Sequence, residues 1–138
     1  MSTQDFIKTQ LEDSGKQLTA VFTGIPVDKW DEKVTEHAFS AKETANHLAD
    51  CYNAFLTAAD GGEHEWGSTI IEDQSPDGLT KAMFDLRTKC ADQAGSTDDP
   101  KIHHLASEYI CLHDAYHVGQ MVTLRMKLGD FDPYSIYK

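Results

Sequence analysis

His113-Asp114-Ala115-Tyr116-His117-Val118-Gly119-Gln120 is the stretch around which the 138-residue chain is organised. It lies within a helical pattern that opens at Pro100 and closes at Gly129, with no interruption in its apolar spacing. Histidines four residues apart on a helix differ by about 40° in direction, so both rings can converge on one point. Ala106, Ile110, Gln120, Met121 and Leu124 share that face, which aims the two imidazoles along an apolar stripe. Imidazole nitrogens on such a stripe need partners. His47 repeats the anomaly on a second stripe.

Working outward, the spacing predicts three more helices. Phe6, Ile7, Leu11, Leu18 and Val21 recur at helical intervals from about Thr3 to Phe22, although Ser14 and Gly15 weaken the middle. Ser40-Ala41-Lys42-Glu43 fits a capping box that opens a helix reaching about Ala59 and stopping at Gly61-Gly62. Thr44, His47, Leu48, Cys51, Phe55 and Ala58 form its stripe, so His47 faces inward. Ser75-Pro76 opens the third helix, with Leu79, Met83, Leu86 and Cys90 as its stripe and Gly95 as its end. Four helices without a competing strand pattern predict an all-α, four-helix bundle forming a single domain over residues 1–138.

Two connections are long for a bundle. Gly24 to Phe39 is expected to be anchored on the core by Trp30 and Phe39. Gly61 to Ser75 reads as a mobile loop carrying His64 and Trp66. The aromatic tail from Phe131 to Lys138 is expected to pack back on the helices.

The net charge of −11 repels phosphate backbones and anionic lipid surfaces, which argues against nucleic-acid and membrane partners. No apolar run approaches the roughly 18 residues of a membrane span. Met1-Ser2-Thr3-Gln4-Asp5 lacks the basic and apolar regions of a signal peptide. Cys51, Cys90 and Cys111 are odd in number and widely spaced, so they read as free thiols. The expectation is a cytoplasmic protein.

A His-x-x-x-His pair alone is a weak signal; a third inward histidine strengthens it. His47, His113 and His117 from two helices match a catalytic metal site better than a structural one, which four protein ligands normally close. Three neutral imidazoles leave the ion its full charge and at least one open position. Zinc suits such a site; nickel, iron and manganese also accept imidazole. Cys51, one turn after His47, is a fourth ligand or a packing residue. Glu43 is a cap or a base. Asp114 and Gln120 either orient histidine N–H groups or serve elsewhere. His37 reads as a solvated loop residue, and His103 and His104 as surface or packing residues.

The segment His113-x-x-x-His117-x-Gly119-Gln120, followed by Leu124-Arg125 and Gly129, resembles the last helix of the DinB-like superfamily. Ser40 to Tyr52 is similar to that family's second helix, and Pro26 to Trp30 to its segment after helix one. The resemblance implies a divalent-metal four-helix bundle, often a homodimer, with His47, His113 and His117 as ligands. Relatives include bacillithiol transferases and a mycothiol-dependent maleylpyruvate isomerase. It therefore implies a thiol-dependent S-transferase acting on a small electrophile with a low-molecular-weight thiol. A metal-dependent hydrolase and a non-catalytic stress-response bundle are the alternatives. The family name does not imply DNA binding.

Overall fold

Each of the four helices begins where a side chain can take up its free N–H groups, and the computed structural model describes all of residues 1–138. Helix α1 spans Thr3–Phe22, capped by a Ser2/Asp5 box. Helix α2 spans Ala41–Ala59; Ser40 Oγ accepts from the Glu43 N–H at 3.1 Å, and the Ser40 N–H donates back to Glu43 at 3.1 Å. Helix α3 spans Pro76–Gly95 under a Ser75 cap. Helix α4 starts at Pro100 after an Asp99 cap and ends at Gly129, whose φ of 95° only glycine adopts without strain. The all-α four-helix bundle expected from the spacing is the fold. No helix is long and apolar enough to cross a membrane.

Helices α1 and α2 stand at opposite corners, each flanked by α3 and α4. The connection between them spans the diagonal, which accounts for its length. It contains one 3₁₀ turn, Val27–Lys29, and is fastened by Trp30, whose indole N–H donates to the Gln74 carbonyl at 3.1 Å. Phe39 does not share that role. It is 43% exposed and lies against histidines instead of in the core. The core is built from Leu18, Leu48, Phe55, Leu79, Met83 and Leu124 among others, all shielded from solvent.

Helix α4 is not the uninterrupted α-helix its spacing suggests. It comprises α-helical Pro100–Ala106, a π-helical stretch Ser107–Leu112, and α-helical His113–Leu128. The reason lies in the stripe. Ala106, Ile110, Asp114 and Val118 are buried at a strict interval of four. On a regular α-helix each such step drifts by about 40°, so three steps would carry the stripe about 120° round the helix. Wider π turns absorb that drift and keep the stripe inward up to the start of the histidine segment.

The loop from Gly61 to Ser75 is tied down along α2. The Asp50 carboxylate accepts from the Gly67 N–H (2.9 Å) and the Thr69 hydroxyl (2.7 Å), and pairs with His64 at 2.9 Å. Asn53 donates to Thr69 at 2.8 Å, and Asn46 and Gln74 exchange two hydrogen bonds. His64, expected in a mobile loop, is a half-buried member of this network. In the tail, a 3₁₀ turn over Pro133–Tyr137 packs against α1, and Phe131 lies 4.6 Å under the Arg125 guanidinium. Tyr134 and Tyr137 remain exposed, so only part of the aromatic tail returns to the bundle.

Candidate metal centre

The inward stripes of α2 and α4 meet at His47, His113 and His117. His113 Nε2 lies 3.1 Å from His47 Nε2 and 3.0 Å from His117 Nε2. Ring centroids are 4.5–5.0 Å apart, and each pair of rings is steeply inclined. The three histidines form a group whose ligand atoms all lie within 4.8 Å of one another.

Protons alone serve this arrangement poorly. Each Nε2 carries one lone pair or one proton, so three of them cannot make two full hydrogen bonds. At best one lone pair on His113 is shared between two donors. A single cation takes all three lone pairs at once. Tetrahedral bonds of about 2.0–2.1 Å would set the nitrogens about 3.3 Å apart, close to the separations found. The donor set therefore fits a divalent ion.

The rings are also in the protonation state a metal needs. Burial, and then the neighbouring rings, push His113 and His117 down to about 4. Burial lowers His47 as well, opposed by the Asp50 carboxylate. At neutral pH all three are uncharged, so protons do not compete with an ion for the lone pairs.

Asp114 does not orient the histidines; Gln120 reaches His117 alone, where it raises the pKa against the larger effect of burial. Asp114 is fully buried and faces the bundle centre. Its Oδ1 accepts from the Tyr52 hydroxyl at 2.6 Å and its Oδ2 from Arg87 Nε at 2.9 Å. Arg87 continues to the Leu11 carbonyl (2.7 Å) and Ser14 (2.8 Å). A Cβ on Gly15 would lie 2.7 Å from Arg87 Nη1, which accounts for a glycine in the middle of α1. Gln120, expected on the inward face, is exposed and donates to the Tyr116 hydroxyl at 3.0 Å. The Nδ1 atoms of His113 and His117 are buried without partners. Their orientation thus comes from packing, not from the carboxylate or carbonyl that usually backs a metal-bound imidazole.

Cys51 Sγ lies 3.7 Å from His47 Nε2 but does not belong to the converging group. Burial, reinforced by Asp50 and Asp114, pushes its thiol up to about 12, so it stays protonated. Glu43 is engaged with the Ser40 backbone and with Lys33 at 3.2 Å. His37 is exposed beside Glu36 and His104 beside Glu108; His103 is buried and bonds the Thr97 carbonyl at 2.6 Å.

Two aromatic residues flank the triad. The Phe39 ring is parallel to His117 at 6.5 Å and edge-on to His47 at 5.6 Å; Tyr116 meets His117 edge-on at 5.0 Å. The sequence reading missed both. Phe39 immediately precedes the α2 cap, the position from which an apolar side chain staples onto the first turn. That signal aims it along the face that carries His47. The largest cavity, about 930 Å³, lies away from the triad, between α1, α3 and the tail. The cavity beside Phe39 holds about 220 Å³.

The chain matches no family model, no curated protein and no solved structure.

Proposed function

We propose that the protein is a metal-dependent enzyme of the DinB-like kind, with His47, His113 and His117 as the ligands and thiol S-transfer to a small electrophile as the reaction. The observation that carries this reading is the convergence of three uncharged Nε2 atoms within 4.8 Å. A divalent ion held there supplies a fixed positive charge that lowers the pKa of a thiol or water presented to it. Zinc fits the all-imidazole donor set, and nickel, iron and manganese are the other candidates.

The protein's own groups favour the thiol over water. Hydrolysis benefits from a free carboxylate as general base. Every carboxylate close to the triad in sequence is already engaged: Glu43 in its cap, Asp50 with the 61–75 loop, and Asp114 with Tyr52 and Arg87. A thiol needs only charge stabilisation to become a nucleophile at neutral pH. Burial pushes the Cys51 thiol up to about 12 in the metal-free chain. We take the incoming thiol to be a small molecule, as in the relatives that the sequence resembles. Phe39 and Tyr116 lie against the triad and offer apolar surface to a substrate bound there. Exposed Phe6, Leu112 and Tyr116 provide apolar surface for the homodimer that belongs to the same reading.

The test starts with elemental analysis of protein purified without a polyhistidine tag. About one divalent ion per chain is expected, lost in the His113→Ala/His117→Ala double variant and retained in His103→Ala. Cobalt-loaded protein is then titrated with glutathione, bacillithiol and mycothiol. A near-ultraviolet cobalt–thiolate band with at least one of them, absent in His117→Ala, supports S-transfer. Full metal content in the double variant removes the triad. Ester or amide hydrolysis without any thiol band moves the assignment to a hydrolase.

A further inference from the structure

We infer that the pocket beside Phe39 receives a short, uncharged aliphatic chain of the substrate whose reacting end lies at the histidine triad. The inference rests on the metal-dependent reading above and names the substrate class it leaves open.

Position is the first argument. The pocket lies where the end of the first connection meets α2 and α4. Thr44 lines it one turn before His47, and Gln120 and Met121 line it one turn after His117. Phe39 belongs to both places: its ring packs on His47 and His117 and also walls the pocket. No histidine lines the pocket; Phe39 is the residue common to both places, so a chain bound at the triad would reach the pocket past that ring.

Chemistry is the second. Val34, Ala38, Phe39, Met121 and Leu124 supply apolar surface, and no charged side chain lines the pocket, in a chain with 25% charged residues. Two of its polar members are turned to the backbone: the Thr44 hydroxyl donates to the Ser40 carbonyl at 2.8 Å and the Thr123 hydroxyl to the Gly119 carbonyl at 3.3 Å. Thr35 and Gln120 leave polar groups at the lining, none of them charged, so a charged tail would lose water without gaining a partner of opposite sign. An aliphatic tail loses nothing on entry.

Size is the third. A volume of about 220 Å³ falls below the usual several hundred for a ligand pocket. A space of that size suits a short unbranched chain better than a sugar, so we assign it to the electrophilic partner and not to a sugar-bearing thiol.

Cobalt-loaded protein titrated with straight-chain alkanethiols of two to eight carbons, and in parallel with alkanehydroxamates of the same lengths, tests this by optical dissociation constants. Each added methylene should tighten binding about fourfold until about six carbons, after which affinity levels off. Thr123→Phe fills the pocket from its exposed rim. It should abolish the dependence on length while leaving ethanethiol within about twofold, with metal content unchanged. If both series bind without length dependence, or if Thr123→Phe leaves the slope intact, the pocket assignment is overturned and the metal reading stands. A slope with hydroxamates but no thiol binding supports the pocket and removes the thiol. Failure of the protein to take up cobalt overturns the metal reading; binding of neither series to cobalt-loaded protein overturns this inference alone.

Discussion

Replacing Asp114 by Asn separates two roles that its place between the histidines could suggest. The side chain keeps its size, and its carbonyl oxygen can still accept from Tyr52. What changes is the Arg87 side. The carboxylate oxygen that accepts from Arg87 Nε at 2.9 Å becomes an amide without charge, or an NH₂ facing another donor. Arg87 is 7% exposed. Burial works against its charge, and the Asp114 carboxylate outweighs that, holding the guanidinium above its ordinary range. Without the carboxylate, the buried charge keeps only the Leu11 carbonyl and Ser14. Breaking such a pair from one side typically costs about 3–5 kcal/mol. With a urea slope of roughly 2 kcal/mol per molar, the unfolding midpoint should fall by about 1.5–2.5 M. Arg87→Met should cost a similar amount, and the double variant much less than the sum, because no isolated charge remains. Metal content under native conditions should be unchanged, since Asp114 touches no histidine. A loss below about 1 kcal/mol, or strict additivity, would refute the account of a buried ion pair holding α1, α2, α3 and α4 together.

Two further outcomes follow from the geometry around the triad. Cys51→Ala should lower stability by about 1 kcal/mol through lost packing and leave metal affinity unchanged in a chelator competition; a loss of affinity of tenfold or more would make Cys51 a ligand. In metal-free protein, His113 and His117 titrate near 4, against 6.5 for an ordinary histidine. Between those values the unfolded chain binds more protons than the folded one, so this contribution to stability is present above about pH 6.5 and is lost as pH falls towards 4. Urea midpoints from pH 7 to 4.5, compared with those of the His113→Gln/His117→Gln variant, should show a steeper fall in the parent protein, and parallel curves would contradict the depressed values.

Helix placement was legible because its signals are local. Ser40 and Glu43 are three residues apart and form the box their spacing announces. Gly129 stands where the chain needs a positive φ. The interruption of α4 was missed, because the spacing reads as one continuous helix; the step of four from Ala106 through Ile110 and Asp114 to Val118 stands out only once their burial is known. Phe39 was misread for a different reason. Apolar side chains in connections are usually core anchors, and Trp30 is one, but a residue just ahead of a cap belongs to the first turn of its helix. The pinned 61–75 loop had no local signal. Asp50 holds it with one carboxylate across 14 to 19 residues, and composition rich in Gly, Glu and Ser reads the same whether such a loop is free or tied.

The convergence of the histidines was legible from the angle between neighbours on a helix, and the same angle bears on Asp114. Each residue turns the direction by about 100°, so His113 and His117 lie about 40° apart while Asp114 lies about 100° beyond His113 and about 60° to the far side of His117. A side chain so placed cannot back either ring; it has to meet whatever the neighbouring corners of the bundle present. What they present, Tyr52 from α2 and Arg87 from α3, is fixed by contacts spanning 62 and 27 residues, which no local pattern encodes. The residue between the two histidines thus serves the bundle and not the ligands: it ties α4 to α2 through Tyr52 and to α3 through Arg87.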